Sequence, residues 1–295
     1  MNEREPTVRS RELGLALSRA TAAQGLNRTE MADRLGWSHS KISRIYNGKR
    51  GATTEDIAAI LASCGVTGPK RDELVDLARH ANHPGWWQEY GTGLPMEIRT
   101  LSDYEDAAII NINFQNVMVP GLLQTVAYMR NYMQRTPLIP AKEIKERIEA
   151  RLRRQQILDR HFPAKFQFYI DEYALRRTGP GHEIMSEQLH HLLRLSVRSH
   201  IEIYVVPDSM GFHAGQMPFN LMQFTEFHPV VFVEHLTSAL FLERPDTVNS
   251  HYRVINRLAN IALDQHQSRA LIAGLATRRE EHDEHPPPLE EELPH

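Results

Sequence analysis

Between Arg28 and Arg50 the chain sets out hydrogen-bonding side chains at the spacing of one helix face. His39, Ser40, Ser43 and Arg44 share the outer side of a short helical stretch, and Ile42 and Ile45 take the inner side. An imidazole, two hydroxyls and a guanidinium in that arrangement can donate to and accept from the edges of base pairs. Each such contact discriminates by about 1–3 kcal/mol at best. Arg28, Thr29, Lys41, Lys49 and Arg50 surround the same stretch and offer charge or hydrogen bonds suited to phosphate oxygens, which position a protein on a duplex without specifying sequence.

Such a face works only if the helix carrying it is held at a fixed angle, and the neighbouring residues have the types this needs. Thr29 is placed to N-cap a first helix, with Met31, Ala32 and Leu35 along its inner face. Ala32 must be small, because a second helix crosses there. Gly36 falls where the first helix has to stop, in the left-handed conformation that glycine enters without steric cost. Trp37 plugs the turn, and Ser38 is a preferred N-cap for residues 39–47. The result is a helix-turn-helix with residues 39–47 as the helix that enters a major groove.

Further helices complete a compact unit. Residues 8–23 carry a stripe of Leu13, Ala16, Leu17 and Ala20, with Arg9, Arg11 and Arg19 expected outside. Thr53 or Thr54 caps a fourth helix with Ile57, Ile60 and Leu61 inward, and Pro69 opens a fifth. Residues 1–81 therefore read as an all-α domain of about five helices.

The charge distribution agrees with nucleic acid as partner. The chain of 295 residues has a net charge of −3, but residues 1–50 hold ten Lys/Arg against five Asp/Glu, and residues 280–295 hold seven acidic residues and no Lys or Arg. The basic excess sits where phosphate contact would be made. A single cysteine, Cys64, excludes a disulfide framework and a cysteine-rich metal site. No apolar run approaches the roughly 18 residues of a membrane span, and the opening Met-Asn-Glu-Arg-Glu-Pro lacks a signal-peptide core, so a cytoplasmic location is expected.

After residue 81 the pattern changes. Residues 82–99 form a connector rich in glycine, proline and aromatics, including Trp86, Trp87 and Tyr90. Residues 100–278 mix periods: an amphipathic helix over 141–160 with Ile144, Ile148, Leu152 and Leu158, then alternation at Phe166, Phe168 and Ile170. A helix over 183–198 comes next, then strands at 201–206, 219–224, 230–234 and 240–242, the last two close enough for a hairpin. Val248 to Ala262 reads as a long helix, with another turn or two over 268–275. This predicts an α+β domain with a roughly five-stranded sheet and helices on one face. Residues 279–295 read as a disordered acidic tail.

No convergent catalytic site, metal set or cofactor motif emerges. His182-Glu183 would begin a zinc-protease motif, but Ser186 stands where its second histidine belongs, and His190 and His191 fall on different helix faces. The best candidate for a small-molecule pocket is the lip Gly211-Phe-His-Ala-Gly-Gln216, with His213 and the carboxylates Glu172 and Glu234.

Residues 8–80, above all Leu35-Gly-Trp-Ser-His-Ser-Lys-Ile-Ser-Arg-Ile-Tyr-Asn-Gly48, resemble the Cro/repressor-like (xenobiotic-response-element type) helix-turn-helix domains. Glu30 and His39 depart from the glutamines frequent in that family. Residues 100–277 resemble the C-terminal domain of a bacterial group of such regulators described as antitoxin-like. That resemblance rests on Val119-Pro-Gly-Leu-Leu-Gln-Thr125, Asp171-Glu-Tyr-Ala-Leu-Arg176, Gly211-Phe-His-Ala-Gly215, Phe219-Asn-Leu221, Val233-Glu234 and Leu242-Glu-Arg-Pro245. It implies a regulator frequently encoded beside a small acidic partner protein. The expected function is a homodimeric, sequence-specific regulator of transcription that binds double-stranded DNA and is not an enzyme. Two alternatives stay open: an antitoxin-like protein-binding module with autoregulatory DNA binding, and a small-molecule sensor.

Overall fold

The structure is a computed structural model that describes residues 6–49, 52–81, 86–89, 96–137, 139–161, 163–177, 179–225, 227–235 and 238–284. Five helices come first: α1 (Val8–Ala23), α2 (Arg28–Leu35), α3 (His39–Tyr46), α4 (Thr54–Ser63) and α5 (Gly68–His80). They are followed by β1 (Trp86–Glu89), α6 (Met96–Ala107), β2 (Ile110–Gln115), α7 (Val126–Arg135), α8 (Ile144–Gln155), β3 (Lys165–Asp171) and α9 (Glu172–Arg176). The remainder is α10 (His182–Leu195), β4 (Ile201–Val206), β5 (Phe219–Gln223), β6 (Val230–Glu234), β7 (Ser238–Leu242), α11 (Pro245–Ile261) and α12 (Gln265–Glu284). The architecture is thus an α-helical N-terminal region and an α+β C-terminal region, as the sequence predicts. Among the described residues the C-terminal region supplies six strands, β2 to β7, where about five were expected.

The chain divides into two compact units: residues 1–89, 226–231 and 235–248, and residues 90–225, 232–234 and 249–295. In the first, α1 to α5 close around Leu17, Met31, Ala32, Ile42, Ile57, Ile60 and Leu61, all fully buried. Burying such side chains is worth about 1.5–3 kcal/mol each and is what holds helices too short to be stable alone. The same unit includes β1 paired antiparallel with β7. Arg11, expected outside, is buried: its guanidinium lies 3.6 Å from Glu243 and 4.3 Å from the centre of the Phe227 ring, and Glu243 also accepts the Val8 N–H. The helix period could not show this, because the partners lie more than 200 residues downstream.

In the second unit β5, β2, β3 and β4 lie side by side in that order. β2 is antiparallel to β5 and parallel to β3, and β3 is parallel to β4. One sheet face presents Phe166, Phe168, Ile170, Ile201, Ile203 and Val205 to a core shared with α10 and α12. On the other, His251 of α11 meets Phe219 edge-on at 5.0 Å. Helices therefore cover both faces rather than one. The α11–α12 turn also closes the edge of β4, where Val205 N–H donates to Ser268 Oγ and Val205 O accepts from Leu263 N–H.

After β2 the chain makes a single 3-10 turn over Gly121–Leu123, and α7 begins only after Thr125 caps it. Buried glutamines hold that turn in place of helical bonds. Gln124 Nε2 donates to Val119 O at 2.7 Å, and Gln188 both accepts the Thr125 N–H and donates to Leu123 O at 2.7 Å. The final helix is far longer than a turn or two: α12 runs to Glu284, past the point where a disordered tail was expected to begin. Residues 285–295 of that tail, Tyr90 and most of the connector lie outside the described residues.

Candidate nucleic-acid interface

Residues 28–47 fold as a helix-turn-helix whose turn is fixed at every terminal position. Asn27, not Thr29, caps α2: its side chain accepts the Glu30 N–H while Glu30 accepts the Asn27 N–H, a reciprocal capping box. Thr29 sits exposed one position inside the first turn. Asparagine competes well for the cap because its carboxamide oxygen reaches the N3 amide from the preceding position. Gly36 ends α2 in the left-handed conformation, φ 65°, and Trp37 N–H closes back on Ala32 O at 2.9 Å. Ser38 then caps α3 by accepting the Lys41 N–H.

α3 is also anchored at its far end. Tyr46 is buried and its hydroxyl lies 2.6 Å from Thr21 Oγ1 of α1; burial raises its pKa above the usual tyrosine range. Gly14 of α1 lies against the α3 backbone so closely that a Cβ there would sit 2.2 Å from Tyr46 O. Gly48 comes next with φ 66°, packed on the Ser10 and Arg11 backbone, and Ser10 Oγ donates to Gly48 O. The recognition helix is therefore clamped between the α2 turn and α1, and its outer face is presented in one orientation.

On that face His39 and Ser40 are exposed, and Ser43 and Arg44 are partly exposed. The Arg44 Nε donates to Ser40 O at 3.2 Å, which directs the guanidinium along the helix. His39 Nε2 lies 3.4 Å from Asp33 Oδ1, both side chains well exposed, so an acidic group from α2 stands beside the first base-reading candidate. Sequence periodicity gives no sign of Asp33, because the contact crosses the turn.

The phosphate candidates separate. Arg28 is exposed, donates to Asn47 Oδ1 at 3.1 Å and lies 5.6 Å from the centre of the Tyr46 ring, so Asn47 at the α3 C-cap sets its position. Lys49 is exposed. Lys41 faces the domain: its ammonium lies 2.6 Å from Asp56 and 3.6 Å from the centre of the Trp37 ring. Arg50 lies outside the described residues.

The four residues of the expected C-terminal pocket fall in different settings. Glu172 is buried, paired with Arg176, and accepts the Asp208 N–H at 3.0 Å. His213 stands between Asp171 Oδ2 at 3.0 Å and the Gly215 N–H, which its Nδ1 accepts. With Nδ1 accepting, the proton sits on Nε2 and is directed at Asp171, so both ring nitrogens are occupied. Gly211 turns the chain with φ 61°, and Glu234 is exposed. A shallow cleft of about 410 Å³ lies instead between α7 and α10, lined by Val126, Ala127, Arg130, Asn131, Ile184 and Glu187. Among the described residues no group of three or more His, Cys, Asp or Glu is placed to hold a metal ion. No helix among them is long and apolar enough to cross a membrane.

A model described as a helix-turn-helix domain matches residues 12–74, and a model described as a domain of unknown function (DUF5753) matches residues 98–274. No curated protein matches the chain.

Proposed function

The chain belongs to the family of the domain of unknown function DUF5753, and from the helix-turn-helix that precedes this domain we propose a sequence-specific transcription regulator of the Cro/repressor-like type. The DNA-binding character follows from the helix-turn-helix domain. Sequence specificity, homodimerisation and a C-terminal domain that receives a signal are the further content of the proposal. The carrying observation is the clamped α3, which offers His39, Ser40, Ser43 and Arg44 on one outer face. A homodimer fits because a single domain of this size makes few contacts, and two copies match a two-fold operator.

The proposal assigns the C-terminal domain no reaction. Its best-placed chemical groups, Glu172 and His213, are both spent on holding loops. The antitoxin-like reading, in which a small acidic partner occupies that domain, is the second choice and rests on the sequence motifs alone.

The test is binding to the DNA upstream of the protein's own reading frame against scrambled DNA over a salt series. The wild type is expected to prefer its own DNA at least tenfold. Ser43→Ala and Arg44→Ala should each erode that preference by about 1–3 kcal/mol. Lys49→Ala should instead weaken both DNAs alike and flatten the salt slope by about one unit. Equal, weak, salt-sensitive binding to both DNAs, unchanged by Ser43→Ala, would reject the reading.

A further inference from the structure

Leu242-Glu-Arg-Pro245 closes β7 and opens α11, and it is not part of the recognition face. Glu243 lies within residues 98–274, which match the domain of unknown function, yet it belongs to the compact unit of α1 to α5. Its side chain is only 10% exposed and meets the start of α1: Oε2 accepts the Val8 N–H at 2.9 Å and stands 3.6 Å from the Arg11 guanidinium. The Phe227 ring, from the same part of the chain, lies 4.3 Å from that guanidinium. α1 needs the negative charge. It carries Arg9 and Arg11 near its N-terminus and no acidic residue in its first turn, so its own sequence opposes the helix dipole. The compensating carboxylate arrives from 235 residues downstream.

The same turns of α1 hold the end of the recognition helix. Val8 and Arg11, three residues apart, share one face of α1, and Ser10 and Gly14, four apart, share the next. On that second face Ser10 Oγ donates to Gly48 O at 3.0 Å, and Gly48 packs so closely that a Cβ would come 2.8 Å from Arg11 N. One turn further on, Gly14 lies against the Tyr46 carbonyl. These are contacts of backbone on backbone, which pass a displacement on because no side chain can rotate to absorb it. A shift at the start of α1 therefore carries the last turn of α3 with it, and Arg44 is in that turn.

We propose that Glu243 is a positioning residue for DNA recognition: it fixes the start of α1, and through α1 the recognition helix, so that residues 226–248 set how well the protein discriminates DNA. Removing one partner of a buried charge pair costs far more than removing both, so this contact is made or lost as a unit. α11 opens at Pro245, two residues after Glu243, and its residues 249–261 belong to the second unit, which gives that unit a covalent route to the contact. The inference rests on the DNA-binding reading and names one control on it.

The experiment compares the full chain with Glu243→Gln, Arg11→Met and the double variant, at a temperature where circular dichroism shows each to be folded. Each single substitution is expected to lower the preference for the protein's own upstream DNA over scrambled DNA about tenfold, within the range of coupling between sites. The double variant should lose no more than the worse single, as residues acting through one contact do. It buries no lone charge, so it stays folded even where a single variant does not, and its loss of preference then carries the test. Ile60→Val, which loosens the α4 core of the same unit and leaves the start of α1 intact, should keep the wild-type preference. In hydrogen exchange, Glu243→Gln should speed residues 8–14 and 45–49 and leave 57–62 at the wild-type rate. An undiminished preference in the folded variants, additive losses, or exchange that is faster throughout α1 to α5 would overturn the inference. A wild type that discriminates no DNA would reject the regulator reading, with exchange at 45–49 still deciding whether Glu243 positions α3.

Discussion

Replacing Gly14 by alanine is expected to destabilise the helix-turn-helix unit by about 3 kcal/mol, at the upper end of what overpacking costs, and to abolish specific DNA binding. In an open helix the same change would gain up to about 1 kcal/mol, because alanine is the better helix former. At Gly14 the new methyl would lie 2.2 Å from the Tyr46 carbonyl oxygen and 2.7 Å from its carbon. Both are backbone atoms and cannot rotate away, so α1 and α3 must separate. That separation pulls Tyr46 from Thr21 and tilts the face carrying Ser43 and Arg44. Gly274→Ala is the matched control, since a methyl group on that glycine of α12 would meet nothing within 4 Å, and it should be neutral or stabilising. Thermal unfolding and operator binding of the two variants decide the matter. Equal stability and equal DNA affinity would show that α1 does not clamp α3 at this crossing.

The second large effect is a pH dependence seated in Glu105. This carboxylate is 2% exposed on α6, with Arg154 2.8 Å away and Asn220 Nδ2 donating to it at 3.3 Å. Burial pushes its pKa up to about 7, outweighing the guanidinium, which pulls it down. The folded chain therefore keeps a proton that the unfolded chain releases near 4.5. Stability from this group is full below about 4.5, falls as pH rises through the interval, and has been lost above 7, a total on the order of 3 kcal/mol. Glu105→Gln keeps a hydrogen-bonding side chain of the same size and cannot ionise, so its stability should lack this fall. The measurement is the melting temperature of both proteins from pH 4.5 to 8. Curves that stay parallel would mean that Glu105 ionises near its ordinary value and that Arg154 outweighs the burial.

The features that the chain displays locally were legible. Gly36, Ser38 and the apolar spacing of residues 31–45 define the two helices and their turn, because caps and left-handed stops are fixed within three or four residues. The strands at 166–170, 201–206 and 230–234 announced themselves by alternation and apolar runs. One local competition was misjudged: Asn27 and Thr29 are both good caps, and the box with Glu30 decided for Asn27. The last helix was cut short for a related reason. Its acidic residues 280–284 resemble a solvated tail, yet arginine and glutamate are strong helix formers and continue the turn begun at Gln265.

The helix-turn-helix, the residues on its outer face and the α+β character of the C-terminal region follow from local pattern, since periodicity and capping act over one or two turns of chain. Which polar groups are available depends on packing between segments far apart in the chain. The tertiary structure places Lys41 on Asp56, Arg11 on Glu243, His213 between Asp171 and the Gly215 amide, and Glu172 against Arg176. A charged or polar side chain reads the same in sequence whether it faces solvent or a distant partner. Its chemistry is settled by the desolvation and pairing that packing imposes, and for Arg11 that partner arrives more than 200 residues later.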